Sequence, residues 1–173
     1  MLIELRVRNV AVLEDLTLRL TAGLNVITGE TGAGKSIVID ALGLLMGARA
    51  SSDLVRAGTD RAVVEGVLDV SGREELHARL HALGFDAEDG HIVLRREVTR
   101  AGRSRAWING SPTTATVLRD LSEGLVDVHG QHEHQRLLSP SIQTEVLDAF
   151  AGSTGQAADV GALYARLGEL TRV

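Results

Sequence analysis

Cysteine is absent from the 173 residues, which excludes a disulfide framework, a thiolate metal site and thiol redox chemistry. Aromatic side chains are scarce, with one Trp, one Tyr and two Phe, so a core has to be built from Leu, Val, Ile and Ala. No apolar run approaches membrane-spanning length, and the opening MLIELRVRNV sets Glu4, Arg6 and Arg8 inside what would have to be the apolar part of a signal peptide. The expectation is a cytoplasmic chain. Positive charge is in short supply as well: 18 Lys and Arg stand against 23 Asp and Glu, for a net charge of -5. The chain as a whole therefore offers no broad attraction for phosphate backbones, and any nucleic-acid contact has to be local. Lysine is the scarcest cation, because seventeen of the 18 are arginine and the one lysine is Lys35.

What is present is an ordinary globular composition, 44% hydrophobic and 24% charged, at a length that fits one domain. Residues 2–8 and 12–20 alternate, with Leu16, Leu18 and Leu20 on one face and Thr17 and Arg19 on the other, and predict an antiparallel strand pair. After a turn at Thr21, Ala22 and Gly23, the run Leu24-Asn25-Val26-Ile27-Thr28 is short and apolar, as suits a central strand. From Lys35 to Met46 the apolar positions Ile37, Val38, Ala41, Leu42, Leu44 and Leu45 recur too densely for a surface helix, and predict one buried on most sides and ended by Gly47. Residues 48–60 read as irregular. Val63, Glu65, Val67 and Asp69 alternate as a strand with one polar face, and residues 72–83 read as an exposed amphipathic helix closed by Gly84.

Residues 92–98 and 105–108 predict two strands around the loop 99–104, and Asn109-Gly110 supplies a second turn. A helix over about 113–122 and a last apolar strand at 125–128 complete this part. Another helix follows at about 141–150, then a break at 152–155. Beyond the break Val160, Leu163, Leu167 and Leu170 fall at alternating spacings of three and four. That fits the seam of a coiled coil and equally an amphipathic helix packed on the domain, and Gly161 and Gly168 weaken either.

Chemistry concentrates in Gly29-Glu30-Thr31-Gly32-Ala33-Gly34-Lys35-Ser36, which satisfies the P-loop pattern at every fixed position and lies between an expected strand and an expected helix. Glycines let the backbone curl so that amide N–H groups point inward, and the helix start adds unpaired donors and the positive end of its dipole. A polyphosphate fits such a concavity. Lys35 then reaches the β and γ phosphates as a point charge, and the Ser36 hydroxyl takes one place in the octahedral shell of Mg²⁺. The cofactors implied are ATP and Mg²⁺.

His129, His132 and His134 with Glu133 look like metal ligands, since three imidazoles suit zinc, but their spacing lacks the i, i+4 geometry of a helical zinc motif. Position supports another use. A glutamine just past the end of a strand, in a sheet whose other strand ends in a P-loop, faces the Mg²⁺ and the γ phosphate, because ligands collect at the carboxyl ends of strands. Gln131 is the candidate, with Gln135 as the substitute.

The opening LRVRNVAVLEDLTLRLTAGLNVITGETGAGKS resembles the amino terminus of SMC-like and RecN-like ATPases. LVRAGTDRAVVEG at 54–66, RSRAWINGSPTT at 103–114 and LVDVHGQHEHQRLL at 125–138 match the RecN-like branch, so the resemblance spans nearly all of residues 1–150. HGQHEHQ is far more specific than the P-loop alone. The fold implied is α/β, a P-loop NTPase of the ABC/SMC head type: a mixed sheet with parallel core strands plus an antiparallel β subdomain. Residues 1–150 would be its amino-terminal lobe only, and 151–173 a linker and the start of a helix leading to a coiled coil. In that family the VHGQHEHQ segment acts as the Q-loop, which assigns Gln131 to Mg²⁺ and the attacking water and sets it beside Lys35 as a catalytic residue. By the same resemblance Thr59, Asp60, Arg61 and Ala62 pass close to the adenine and ribose. The family's Walker B acid, general base and signature are not found in the 173 residues. Hydrolysis needs those groups, so this chain alone is expected to bind ATP with little or no turnover.

The function so implied is an ATP-gated head in DNA double-strand-break repair and recombination, associated with the nucleoid. Its partners would be the carboxyl-terminal lobe of its own longer chain, a second copy joined through heads and coiled coil, and DNA. Two other classes compete. A self-contained P-loop kinase or small nucleotide hydrolase would need its own acidic Mg²⁺ ligand, for which Leu125-Val126-Asp127-Val128 is the one weak candidate, and a zinc-dependent binding module would use the three histidines. For DNA, Arg100, Arg103 and Arg105 form a local basic loop, with Arg49 and Arg56 as equal contenders, against the reading of a solvated hairpin tip.

Overall fold

Alternation in the first twenty residues produces a hairpin. The computed structural model describes residues 1–29, 34–122, 125–126 and 140–171. In it β1 (Leu2–Val10) pairs with β2 (Leu13–Arg19) in the register Leu5↔Leu18 and Val7↔Leu16. The other edge of β1 takes β3 (Arg61–Asp69), followed by β4 (His91–Thr99), β5 (Ser104–Ile108) and β6 (Ser111–Thr113). The six strands form one sheet in the order β2-β1-β3-β4-β5-β6, and every pairing is antiparallel. Because β2 and β3 flank β1 on opposite sides, the chain leaving β2 has to cross a face of the sheet before it enters β3. The crossing carries α1 (Lys35–Leu45), which lies over β1, β3 and β4.

The period of two along each strand decides what goes inside. Leu5, Val7 and Val10 of β1, Ala62, Val64 and Leu68 of β3, and Ile92, Leu94 and Val98 of β4 are buried in one cluster with Val38, Ala41, Leu44 and Leu45 of α1. Burying one such side chain is worth about 1.5–3 kcal/mol. Two shorter helices extend the cluster, α2 (Glu74–Ala82) with Leu76 and Leu80 and α3 (Ala115–Ser122) with Leu118 and Leu121.

One charge shares this interior. Arg96 is only 2% exposed, and its Nη2 donates to the Ala48 carbonyl at 3.4 Å, while Arg119 Nη2 donates to the Gly47 carbonyl at 3.0 Å. Burial first, and then the neighbouring Arg119 charge, push the Arg96 pKa below its ordinary value. Both guanidiniums stand just past the C-terminal end of α1, where the helix dipole is negative, and so hold the end farthest from the glycine-rich loop. Gly47 belongs to the same corner: at φ 87° it ends α1, and a Cβ there would lie 2.5 Å from the Ala115 carbonyl oxygen and 2.8 Å from the Arg119 amide nitrogen. Helix α3 therefore packs directly against its backbone. The turn expected at Asn109-Gly110 is a two-residue connection between β5 and β6, with φ 47° and 76° and Ile108 opposite Ser111.

The parallel core strands do not form among the described residues. Residues 24–28, expected as a central strand, carry no strand pairing, and Leu24 is 89% exposed. An apolar segment without a neighbour has no ladder for its N–H and C=O groups and no layer for its side chains, so its strand propensity goes unused. Helix α1 is buried on one face rather than on most sides, since Ile39 on its other face is exposed. Of the strand expected at 125–128, Leu125 lies in a turn, Val126 is in no element, and the other two residues lie outside the described ones. The helix expected from about 113 begins at Ala115, because Thr113 pairs with Ala106 in the sheet.

The chain divides into two compact units, Met1–Asp127 and Val128–Val173. The second contains α4 (Pro140–Ala151) and α5 (Thr154–Leu170), which pack on each other across a bend where Ser153 Oγ bonds Asp148 Oδ1 at 3.2 Å. Val160, Leu163, Leu167 and Leu170 of α5 are all exposed. No described helix is long and apolar enough to cross a membrane.

Replacing Gly47 with Ala is expected to destabilise the sheet unit by about 2–4 kcal/mol, because the added methyl meets backbone that cannot rotate away. Urea unfolding followed by circular dichroism measures it, and a loss below about 1 kcal/mol would show that α3 can retreat at little cost.

Candidate nucleotide-binding site

The segment after β2 is turned by Asn25, whose Oδ1 accepts from the Thr21 amide at 3.1 Å and whose Nδ2 donates to the Thr21 carbonyl at 2.8 Å. The chain reaches Gly29, and residues 30–33 lie outside the described ones. Gly34 then caps α1 with φ 92°. A Cβ on Gly34 would lie 3.2 Å from Leu13 Cδ2, so the first residue of β2 forms the wall behind the end of the loop. The Val38 amide donates to the Gly34 carbonyl at 3.2 Å, the first turn contains no acidic residue, and no side chain caps the helix start. The positive end of the helix dipole therefore meets no acidic side chain from its own first turn.

Lys35 opens the helix half-buried, and its Nζ donates to the carbonyl of Gly29 at the other rim of the motif. A cation and a carbonyl six residues apart thereby bridge the glycine-rich segment. Ser36 is exposed on the same turn. These groups fit a triphosphate: a helix start with no side-chain cap, a left-handed glycine at the cap position, and an ammonium held by a neutral carbonyl that a phosphate oxygen can replace. The Ser36 hydroxyl is of the right chemistry for Mg²⁺, which would neutralise phosphate charge there.

Asp60 and Arg61 stand at the entry to β3. The Asp60 carbonyl accepts from the Arg100 amide at 2.9 Å, and Arg61 Nη1 bonds Glu97 Oε2 at 3.4 Å on the outer face of the sheet. Their segment is tied to the wall of the loop through Arg56, whose Nη1 donates to the Val12 carbonyl at 2.7 Å and whose Nη2 lies 3.7 Å from the Glu14 carboxylate. Val12 and Glu14 bracket Leu13. Arg100 Nη2 in turn donates to the Arg56 carbonyl at 3.1 Å. Arg56 and Arg100, candidates for nucleic-acid phosphates, are therefore engaged with the protein's own backbone, whereas Arg49, Arg103 and Arg105 are exposed. Sequence reasoning passed over Leu13 and read Arg56 only as a contender for nucleic-acid phosphates. No motif singles out a leucine at the start of a strand, and only the fold brings it against Gly34.

Gln131, its substitute Gln135, and the cluster of His129, His132, Glu133 and His134 lie outside the described residues, as do Glu30, Thr31, Gly32 and Ala33. Among the described residues no group of three His, Asp or Glu is arranged to hold a metal ion.

A helix that opens from a left-handed glycine, with the chain's single lysine reaching back across the loop, defines a P-loop protein. The AAA domain family matches residues 4–135, and the chain belongs to that family. Within it the chain resembles DNA repair protein RecN, as the motifs at 54–66, 103–114 and 125–138 imply. RecN of Halalkalibacterium halodurans is 50% identical over 152 residues, covering 88% of this chain and 27% of that protein. RecN of Streptomyces coelicolor is 39% identical over 170 residues, covering 97% and 30%. The chain thus spans under a third of the length of these curated relatives. Among solved structures, the Smc head domain of Pyrococcus furiosus, with an extended coiled coil and bound to the C-terminal domain of ScpA, superposes with a TM-score of 0.59 at 26% identity, over 70% of this chain and 32% of that one. The SMC head domain of Thermotoga maritima shares the fold at a TM-score of 0.54 and 24% identity, over 69% and 41%.

Replacing Gly34 with Ala is expected to cost about 1–2 kcal/mol, from the left-handed backbone and the contact with Leu13 together. Adding Leu13→Ala should relieve the contact and leave the backbone strain. Denaturation of the single and double variants separates the two, and equal effects in both backgrounds would show that Leu13 does not press on Gly34.

Proposed function

We propose that the chain is the ATP-binding lobe of an SMC-like ATPase acting in DNA double-strand-break repair and recombination. The observation that carries this reading is the Lys35 ammonium reaching across the loop to Gly29 at the uncapped start of α1. The backbone of residues 29–36 cradles the triphosphate, Lys35 faces the β and γ phosphates, and Ser36 and Gln131 hold Mg²⁺, with Gln131 also orienting water. Asp60 and Arg61 belong to the segment assigned to adenine and ribose. ATP and Mg²⁺ are the cofactors.

Two uncovered surfaces support a lobe that is completed by other polypeptide. Residues 24–28 offer an apolar segment with no strand neighbour among the described residues, and α5 exposes Val160, Leu163, Leu167 and Leu170 at coiled-coil spacing. The carboxyl-terminal lobe of a longer chain would fill the first, bringing the Walker B acid and signature, and a coiled coil would continue the second. Two complete heads then dimerise around ATP, with DNA as the other partner, in the cytoplasm at the nucleoid.

Lys35→Ala is expected to weaken binding of a fluorescent Mg²⁺·ATP analogue at least tenfold, and unchanged binding would remove the site assignment. The 173-residue chain by itself should turn over ATP negligibly in a phosphate-release assay. Appreciable turnover would favour a self-contained P-loop kinase or hydrolase.

A further inference from the structure

The face of the sheet turned away from α1 carries a pattern that the P-loop does not use. Strand registers place Thr17, Arg6, Glu65, Arg95 and Trp107 side by side across five strands, and Asp15, Arg8, Val63, Glu97 and Arg105 in the next row. Between these rows lies a groove of about 410 Å³, lined by the guanidiniums of Arg6, Arg8, Arg61 and Arg95 around Val63 and a single carboxylate, Glu65. A second groove of about 320 Å³ shares Glu65 and Arg95 and continues to Trp107.

Height separates Glu65 and Glu97 from the arginines. The side chains of Glu65 and Glu97 are 25% and 9% exposed, whereas those of Arg8 and Arg61 are both 62% exposed. These two acids form the floor, paired with Arg6 at 3.5 Å and with Arg61 at 3.4 Å, and at the edge Arg6 also meets Glu4 at 2.5 Å and Arg8 meets Asp15 at 3.2 Å. Arg95 is the least satisfied of these arginines: its Nε is enclosed and has no hydrogen-bond acceptor, although its Nη2 lies 3.8 Å from Glu97. Its guanidinium sits 5.5 Å from the centroid of the Trp107 ring, which holds it at the junction of the two grooves. Around the two grooves Arg6, Arg8, Arg19, Arg61, Arg95 and Arg105 stand against Glu4, Asp15, Glu65 and Glu97, a local surplus of positive charge in a chain of net charge -5 that favours an anion. Planar guanidiniums spread over neighbouring strands match the spaced, bidentate acceptors of a phosphodiester backbone better than they match a single ion.

We propose that this outer face of the sheet docks the DNA backbone, with phosphates seated among Arg6, Arg8, Arg61 and Arg95 and with Trp107 positioning Arg95. The proposal rests on the DNA-repair reading for its partner and supplies the surface that reading lacks. It moves the contact away from the hairpin tip, where Arg100 is occupied by the Arg56 carbonyl.

The test measures binding of a labelled duplex oligonucleotide to the natural full-length protein across a salt series. The double variant Arg8→Gln/Arg95→Gln should bind about tenfold more weakly, with a logarithmic salt slope lower by about two. Its ATP binding should be unchanged, and circular dichroism should confirm its fold. Arg49→Gln/Arg103→Gln should lose less than about threefold in affinity. Duplex should alter the part of the tryptophan fluorescence that Trp107→Phe removes, in the parent and in Arg8→Gln, and fail to do so in Arg95→Gln. Lys35→Ala should abolish ATP binding and leave nucleotide-free DNA binding intact, so loss of the nucleotide reading and loss of this one are separable. The proposal is overturned if the groove variant keeps full affinity and slope, or if the Arg49/Arg103 variant loses as much. It is equally overturned if an acidic peptide competes as well as duplex does, or if inorganic phosphate displaces duplex at matched phosphate concentration. Should Arg95→Gln misfold, Arg8→Gln alone decides, through a slope lower by about one.

Discussion

The packing of α1 against the inner face of the sheet sets the position of everything else at the loop. Strand order forces the chain over that face, and the buried stripe Val38, Ala41, Leu44 and Leu45 determines where along it the helix lies. The approach is closest at Gly66 of β3, where a Cβ would lie 2.4 Å from Leu45 Cδ2, so the strand gives up a side chain to let the helix in. At one end Arg96 and Arg119 hold the carbonyls of residues 47 and 48, and at the other Gly34 rests on Leu13. A slide of one helical turn, about 5.4 Å, would break both ends at once. The position of Lys35 is therefore inherited from the hydrophobic core and not set by the loop itself.

Two adjacent arginines show how a period of two separates structural from surface chemistry. Arg95 and Arg96 follow one another on β4 and point to opposite faces. Burying Arg96 is costly, and the Ala48 carbonyl just past α1 answers it in place of a carboxylate. Arg95 stands at the outer face among other cations, with an aromatic ring and a distant carboxylate as neighbours. Neither position could be exchanged for the other by a shift of one residue without burying the wrong set of side chains along the whole strand.

Local patterns were legible from sequence wherever the fold is local. The first hairpin, the Asn109-Gly110 turn, the glycine that ends α1 and the helix closed by Gly84 all rest on neighbours in the chain, and all are present. The P-loop was legible because its glycines and single lysine have a mechanism attached to their spacing. What could not be read depends on distant segments. Residues 24–28 have the composition of a central strand, but a strand is made by its neighbours, and the described residues contain none for it. The density of apolar residues in α1 overstated its burial for the same reason. Arg6 and Arg8 stood out only as charges near the amino terminus, and alternation alone did not show that β3 and β4 would bring Arg61 and Arg95 beside them.

The bare stretch at 24–28 also bears on how such a chain behaves in a test tube. An apolar segment with unengaged backbone accepts any extended peptide, including the same segment of another molecule, and native proteins usually shield such edges with charge, proline or a covering element. Among the described residues nothing shields this stretch, and Leu24, Val26 and Ile27 are exposed next to the loop. Concentrated solutions of the 173-residue chain should therefore drift toward sheet-mediated clumping that begins beside the glycine-rich loop and blocks access to it without any change in the loop's own residues.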